Sequence, residues 1–392
     1  MEILREGYKM KHWSRRLILA VAGMAVVWLI GVAWAQPAAP AKGQTAGEVF
    51  KNVTTTPLKG ISVDDFMGSM GVMTSSLAFD CSDCHTGAGT DKVVWEADTE
   101  RKKTARKMVE MVANINRTYF SGAPLVSCFT CHHGRDRPAT TIALDTLYGP
   151  PNDEKDDIIA PANGGPTATQ ILDKYIQAVG GAQRLAGLTS FIATGTQGGY
   201  AQVRGGGQFQ IFAKAPDQRT VLVSFKDAPG RGDQTRAYDG KIGWINTPRS
   251  LLGEYQVTGS ELDGLRLDAL MSFPGQIKQV FTNLRVGDSD SINGKDVEVV
   301  QGRGPHGLLA TLYFDKQSGL LVRVIRYSTS PIGRVPTQSD YADYRDVGGI
   351  KFPFQYAFLW LDGKDSYQLS DVKTNVPIDE AKFGRPAPGT KH

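Results

Sequence analysis

The sequence has few cysteines and little net charge for its length. Its 392 residues include only four cysteines and six histidines, and the formal charge is +4. So small a net charge gives no reason to expect binding to nucleic acid. The apolar fraction of 41% and the charged fraction of 21% are those of an ordinary globular protein. A chain of this length has room for two domains with sizeable cores.

The first 35 residues are unlike the rest of the chain. Basic side chains precede an apolar run from Leu17 to Ala35, which ends in Ala33-Trp34-Ala35 and is followed by a Pro/Ala-rich stretch. This order predicts a secretory signal peptide over residues 1–35 and a periplasmic or membrane-associated location. The alternative is an uncleaved membrane anchor, since the run is nearly long enough to span a bilayer. No cysteine lies near the cleavage site, which excludes a lipoprotein anchor.

All four cysteines fall in two copies of one pattern. The sequence reads CSDCH at residues 81–85 and CFTCH at residues 128–132. C-x-x-C-H is the attachment signature of c-type haem, in which two thiols bind the porphyrin and the histidine binds the iron. A disulfide pair or a four-thiolate zinc site leaves the histidine after each pair unexplained. The sequence therefore predicts two covalently bound haem c groups, with these haem-attaching and iron-ligating residues: Cys81, Cys84, Cys128, Cys131, His85 and His132.

A helix that carries methionines is predicted before each motif. Ser62 is a favourable N-cap with Asp65 three residues later, and the apolar residues that follow have helical spacing. Residues 97–120 form the second predicted helix, which begins with a basic stretch. Methionine is a known axial ligand of c-type haem iron, but methionines also serve as core filler. The methionines of the first helix, for which both roles are open, are Met67, Met70 and Met73.

The rest of the chain has the pattern of a β-rich domain. A linker rich in Pro, Gly and acidic residues spans 149–165, and a helix is expected over 167–179. Alternating apolar residues then predict antiparallel strands, including a hairpin over 309–327. The predicted fold is a multidomain α + β chain: a small α-helical dihaem cytochrome c domain over 36–148, then an antiparallel curved β-sheet, an open half-barrel with a helix, over 166–392.

No catalytic constellation is evident in this β-rich region. The stretch GRGPHG at residues 302–307 matches G-x-G-x-x-G formally. Pro305 interrupts it, however, and a strand rather than a helix is expected next, so a dinucleotide site is excluded. The chain is expected to be an electron carrier rather than an enzyme.

The stretch from about residue 48 to 134 resembles the cytochrome c subunit of the photosynthetic reaction centre. The resemblance extends beyond the motifs to residues 49–53, 58–60 and 104–111. It implies that Met70 ligates the first haem iron and Met108 the second, with Met111 as the fallback. Those subunits usually carry four haems and lack a β-rich domain. This chain has one repeat pair, which indicates a relative serving another exported electron-transfer system.

The β-rich region resembles lipoprotein carriers of the open half-barrel type, through residues 171–181, 313–322 and 341–353. That family shelters apolar ligands on its concave sheet.

The expected function is the relay of single electrons between periplasmic or membrane redox partners. The basic stretch of the second helix is either a docking face for an acidic partner or a solvated surface. Two alternatives remain open: a dihaem peroxidase or haem-based sensor with one open iron, and an apolar-ligand carrier with haems attached.

Overall fold

The computed structural model describes residues 43–141, 157–199, 206–225, 232–247 and 252–386. All of them belong to one compact unit. The predicted signal peptide lies outside the described residues, as does the first half of the predicted linker. Within the described ranges, no helix is both long and apolar enough to cross a membrane.

The helices confirm two predictions: the region that contains the two motifs is helical, and a helix follows the linker. In chain order they are α1 (Ala46–Val49), α2 (Thr56–Lys59), α3 (Val63–Leu77), α4 (Cys81–Cys84), α5 (Glu100–Tyr119), α6 (Cys128–His132), α7 (Ala168–Ala178), α8 (Ala182–Ala186), α9 (Gly259–Met271) and α10 (Ile277–Val280).

The helix ends follow from their capping residues. The Ser62 hydroxyl accepts a hydrogen bond from the Asp65 amide at 3.0 Å and begins α3, and the left-handed residue Ala78 ends it. Helix α5 begins at Glu100, three residues later than predicted, because Thr99 is its N-cap and accepts from the Lys102 amide at 3.3 Å. In each case one hydroxyl satisfies a backbone N–H that has no partner within the helix.

Fourteen antiparallel strands form one curved, open sheet, which confirms the predicted fold class. The strands are β1 (Ser190–Gly199), β2 (Gly207–Lys214), β3 (Gln218–Ser224), β4 (Gln234–Tyr238), β5 (Gly243–Thr247), β6 (Gly253–Val257), β7 (Thr282–Val286), β8 (Asp290–Ile292), β9 (Lys295–Arg303), β10 (Leu309–Asp315), β11 (Leu321–Ser330), β12 (Gly333–Val347), β13 (Ile350–Trp360) and β14 (Gly363–Thr374).

The order of the strands places the first and the last strand of the sheet, β1 and β14, side by side. It runs β6-β5-β4-β3-β2-β1-β14-β13-β12-β11-β10-β9-β7, and β8 pairs with β9. The pairing of β1 with β14 joins two meanders of sequence neighbours, one from β1 to β6 and one from β14 to β9. Among the described residues, β6 stands at one end of this order and β7 and β8 at the other, so the described sheet is open rather than a closed barrel. The rejected G-x-G-x-x-G stretch runs from the end of β9 through a short turn at Pro305–Gly307, and a strand, β10, follows it as expected.

The main core lies between the sheet and helix α7. The apolar stripe predicted for this helix is buried, and the Tyr175 ring packs 5.4 Å from that of Phe314 on β10. The buried residues that α7 contributes are Ile171, Leu172, Tyr175 and Ile176. Burial of apolar surface at about 25 cal/mol per Å² makes this contact a main source of stability.

Helix α3 joins the motif-bearing region to the sheet. Two of its glycines allow a close approach: a Cβ at Gly68 would lie 3.1 Å from Val335 Cγ2, and one at Gly71 would lie 3.2 Å from Leu361 Cβ. The Ser75 hydroxyl also donates to the carbonyl of Leu361 at 3.2 Å. Side chains larger than hydrogen at the two glycines would hold the helix away from β12 and from the β13–β14 turn.

A charged cluster fixes α9 against the sheet. The guanidinium of Arg326, only 3% exposed, donates twice to the Glu261 carboxylate at 3.0 Å, and Arg236 donates to the same carboxylate. Burial alone would raise the pKa of Glu261, but the two guanidiniums outweigh it and the net shift is downward. Gly264 makes room for this pairing, since a Cβ there would lie 2.0 Å from Arg326 Nη1.

Replacing Glu261 by Gln tests how far the fold depends on this cluster. We expect Glu261→Gln to lower the free energy of unfolding by about 3 kcal/mol, because it leaves the buried Arg326 charge without its counter-ion. Denaturant titration followed by circular dichroism measures this change.

The control is Asp371→Asn, which alters an exposed pair with Lys373 at 3.9 Å, where the side chains are 56% and 70% exposed. An exposed pair of this kind contributes ~0–1 kcal/mol. Equal effects of the two substitutions would contradict a structural role for the cluster.

Candidate haem-binding site

The first motif forms one helical turn with both thiols on the same side. The Asp80 carboxylate caps α4 and accepts from the Ser82 amide at 2.7 Å, and the His85 amide donates to the carbonyl of Cys81 at 2.8 Å. Residues three apart in a helix share a face, so Cys81 and Cys84 point to one side of the turn. Both thiols are free.

His85 is held by its Nδ1 atom. This nitrogen lies 3.3 Å from the carbonyl oxygen of Trp95, and the indole ring meets the imidazole edge-on at 5.0 Å. Burial lowers the pKa of His85, and the nearby charge of Lys102 lowers it further. A neutral imidazole that donates from Nδ1 keeps the lone pair of Nε2 for a metal, the arrangement usual for metal-binding histidines.

The beginning of α5 holds the first motif in place. Arg101 donates to the backbone carbonyl of Asp83 at 3.1 Å and to its carboxylate at 2.5 Å, and its guanidinium lies 4.5 Å above the Phe79 ring. The Thr99 hydroxyl donates to the carbonyl of Cys84 at 3.2 Å. The helix that precedes the second motif in sequence therefore supports the first.

Much of the basic stretch at the start of α5 is engaged within the molecule. Lys102 donates to the carbonyls of Trp95 at 2.6 Å and Ala97 at 2.9 Å, while Lys103 pairs with Glu100 at 2.7 Å. Arg106 pairs with Asp98, and Arg101 with Asp83. These contacts give the basic residues a role in local structure.

The second motif repeats the arrangement of the first. Ser127 caps α6, and the Nδ1 atom of His132 lies 2.9 Å from the carbonyl oxygen of Arg135. In both His85 and His132, a backbone carbonyl holds the Nδ1 atom. The Nε2 atom therefore points away from that carbonyl. His133, the residue after the motif, is exposed and ends the helix in a left-handed conformation.

The second motif packs against helix α3 and the β11–β12 hairpin. The Gly134 amide donates to the carbonyl of Ser76 at 2.9 Å, and the Cys128 amide donates to that of Ile332 at 3.3 Å. The chain thus crosses over: α4 contacts α5, and α6 contacts α3. Each motif is supported by the methionine-bearing helix of the other half of the repeat.

The methionines considered as ligands differ in their burial and in the part of the molecule that each one contacts. Met70 and Met73 are half-buried in an apolar cluster that includes Cys128 of the second motif. Met108 is also half-buried, whereas the fallback Met111 is 42% exposed. Met67 is about a sixth of a turn around α3 from Met70 and lies on the flank that meets the concave sheet. The structure thus brings Met70 close to the second motif. The order of the residues did not indicate this, because Met70 precedes the first motif in the sequence.

The donor set fits haem c better than the other uses of four cysteines. All four thiols are free, and among the described residues no three His, Cys, Asp or Glu side chains converge on a metal position. A four-thiolate zinc site requires such convergence. Two separate pairs of thiols, each with one backbone-anchored histidine, fit two haem c groups.

Asn116 anchors the segment that leads into the second motif, and its removal is a test of that support. Its buried amide donates to the Val126 carbonyl at 2.7 Å and accepts from the Val126 amide at 2.9 Å. We expect Asn116→Ala to lower the free energy of unfolding by about 2 kcal/mol, because two hydrogen bonds are lost and their backbone partners are stranded.

The matched control is Asn114→Ala on the exposed side of the same helix, where Asn114 accepts only from Arg117. The gain in helix propensity is equal for both substitutions, so it cancels in the comparison. Similar stabilities of the two variants would show that the Val126 segment does not depend on Asn116.

Comparison with known proteins agrees with the expected resemblance to the reaction-centre cytochrome c subunit. Residues 28–161 match the model of the family described as photosynthetic reaction centre cytochrome C subunit, about a third of the chain. A comparison with curated proteins finds no match. A LolA superfamily protein of Nitrosomonas europaea is 14% identical, with a TM-score of 0.38, and the alignment covers 56% of this chain and 99% of that one.

A DUF1329 family protein of Desulfovibrio piger is 10% identical, also with a TM-score of 0.38, over 55% of this chain and 96% of that chain. Residues 28–161 are therefore similar to the reaction-centre cytochrome c subunit.

Proposed function

We propose that the protein is an exported c-type cytochrome that carries two haem c groups and relays single electrons between redox partners. The observation that carries this proposal is the repeated geometry of the two motifs. Each has a pair of free thiols on one helical turn and a histidine whose Nδ1 is held by a backbone carbonyl. The family match over residues 28–161 supports the same function.

The roles of the chain's own residues follow from this geometry. The four cysteines tether the porphyrin rings, and His85 and His132 present Nε2 to the metal. Haem c, when bound, supplies an iron that changes its charge by one electron. Met70 and Met108 are the residues proposed to ligate the irons together with the histidines. Such ligation would raise the potential and would leave no position for a substrate.

The proposed location is the periplasm or its membrane surface. The basic, apolar and small-residue order of positions 1–35 supports export, and c-type haem is attached outside the cytoplasm in bacteria. Redox proteins, including a membrane electron-transfer complex, are the proposed partners.

The number of haems is tested by paired cysteine substitutions. We expect two haems per chain in the unaltered protein, one in Cys81→Ser/Cys84→Ser and one in Cys128→Ser/Cys131→Ser, because each pair tethers its own porphyrin. Haem absorbance after denaturation in pyridine, related to protein concentration, measures the ratio. A single haem in the unaltered protein, or loss of both from one variant, would contradict the proposal.

The methionine ligands are tested by single substitutions. We expect Met70→Ala and Met108→Ala each to remove about half of the weak red absorption band of the iron–methionine bond, because each protein ligand is replaced by water. Met67→Ala is the control, because Met67 borders the concave sheet and lies outside the apolar cluster that contains Met70 and Cys128, and it should leave the band unchanged. Loss of the band in Met111→Ala instead of Met108→Ala would contradict the assignment of Met108.

A further inference from the structure

The concave side of the sheet encloses a cavity of about 970 Å³. Its walls are rich in aromatic rings from several strands, and one pair on β13 and β14, Tyr356 and Tyr367, is stacked with centroids 4.4 Å apart. Flat ring surfaces favour ligands that are themselves aromatic, because rings pair in stacked or edge-to-face geometry. The cavity has the size of a small-molecule site.

Helix α3 separates this cavity from the haem-binding region. Asp64, Gly68 and Gly71 line the cavity and follow one another at spacings of four and three, so they share one face of the helix. At about 100° per residue, Met73 lies about half a turn and Met70 about a third of a turn from this face, on the side that meets the second motif. One helix is thus the wall shared by the cavity and the candidate haem site.

The end of the cavity next to α3 carries a polar group that the proposed relay does not use. The Asp64 carboxylate accepts a hydrogen bond from the Tyr255 hydroxyl of β6 at 2.8 Å, and both residues line the cavity. Burial, then the charge of Glu261, raises the pKa of Asp64 to about 7, although Tyr255 and Arg236 act in the opposite direction. Near neutral pH this carboxyl both accepts hydrogen bonds and exchanges a proton.

The cations at this end of the cavity are already engaged. Arg236 and Arg326 both pair with Glu261. Arg219, which donates to the Ser272 hydroxyl at 2.9 Å, lies at the far end of α9. An anionic headgroup would therefore compete with Glu261 and face the neighbouring Asp64 carboxylate. A neutral ring that carries a hydroxyl suits the site better, since Asp64 supplies an acceptor for it.

We propose that the cavity binds a hydroquinone-class electron donor, with its ring among the aromatic side chains and one hydroxyl on Asp64. This inference rests on the proposed relay function. Oxidation of one hydroquinone to the quinone breaks two O–H bonds and releases two electrons and two protons. The two haem c irons of the relay accept one electron each, the Asp64 carboxylate takes one proton, and water takes the other.

Binding is tested on the oxidised holoprotein with 4-decylphenol, a probe with the required ring, hydroxyl and apolar tail, by isothermal titration calorimetry. We expect Asp64→Asn to weaken binding about tenfold, because a charged acceptor is lost. In the unaltered protein the affinity should fall as the pH falls through about 7, since protonation removes the charged acceptor, and this dependence should vanish in Asp64→Asn.

Tyr255→Phe is the second variant, which leaves the carboxyl in place but removes its partner, and Asp371→Asn on the exposed end of β14 is the matched control. Unfolding midpoints establish that each variant is folded. Equal affinity in Asp64→Asn and the unaltered protein, or binding of decanoate but not of 4-decylphenol, would overturn the proposal.

Electron donation is tested by mixing the oxidised holoprotein with decyl-substituted hydroquinone and following the absorbance of reduced haem. Reduction that is slowed in Asp64→Asn, with unchanged reduction by dithionite, supports the proposal. Reduction by dithionite but not by the hydroquinone overturns it. The relay itself fails on a different observation, the absence of haem from the purified chain.

Discussion

The packing of helix α3 on two surfaces is the constraint on which the rest of the structure depends. One face must be apolar enough to support the second motif, and it carries Met70 and Met73 in a cluster with Cys128. The other face must lie close to β12, which Gly68 and Gly71 permit because they have no side chain. The helix can neither rotate nor move outward without disturbing both sides. The sheet and the haem-binding region are therefore held as one packed body.

Polar contacts also hold helix α3 against the sheet, through helix α9. The Asp65 carboxylate at the start of α3 accepts from the Ser260 hydroxyl of α9 at 2.9 Å. Helix α9 is in turn held by Glu261, whose charge is balanced by two guanidiniums. A buried charge is tolerated only when it is paired, so the cluster specifies where α9 lies. Its position then brings Asp64 against Tyr255, where burial raises the pKa of the carboxyl.

The features that the sequence predicted differ from those it did not predict in one respect, the distance along the chain over which the signal acts. The motifs, α3, α7 and the β10–β11 hairpin were predictable because spacing, caps and turns are local signals. Helix α9 has no single apolar stripe, since it is covered on more than one side, and it was missed. Asp64 has no special context in the sequence. Its role depends on Tyr255, 191 residues away, and such long-range pairing leaves no local pattern.

The central claim, that both irons are six-coordinate, is tested most directly by the electron paramagnetic resonance spectrum of the oxidised protein. Ligation of each iron by a histidine and a methionine would give low-spin haem. The account predicts two low-spin signals that together represent all of the iron, with no high-spin component. A high-spin signal from half of the iron would show one open coordination position. That result would contradict the electron relay and favour a peroxidase or sensor.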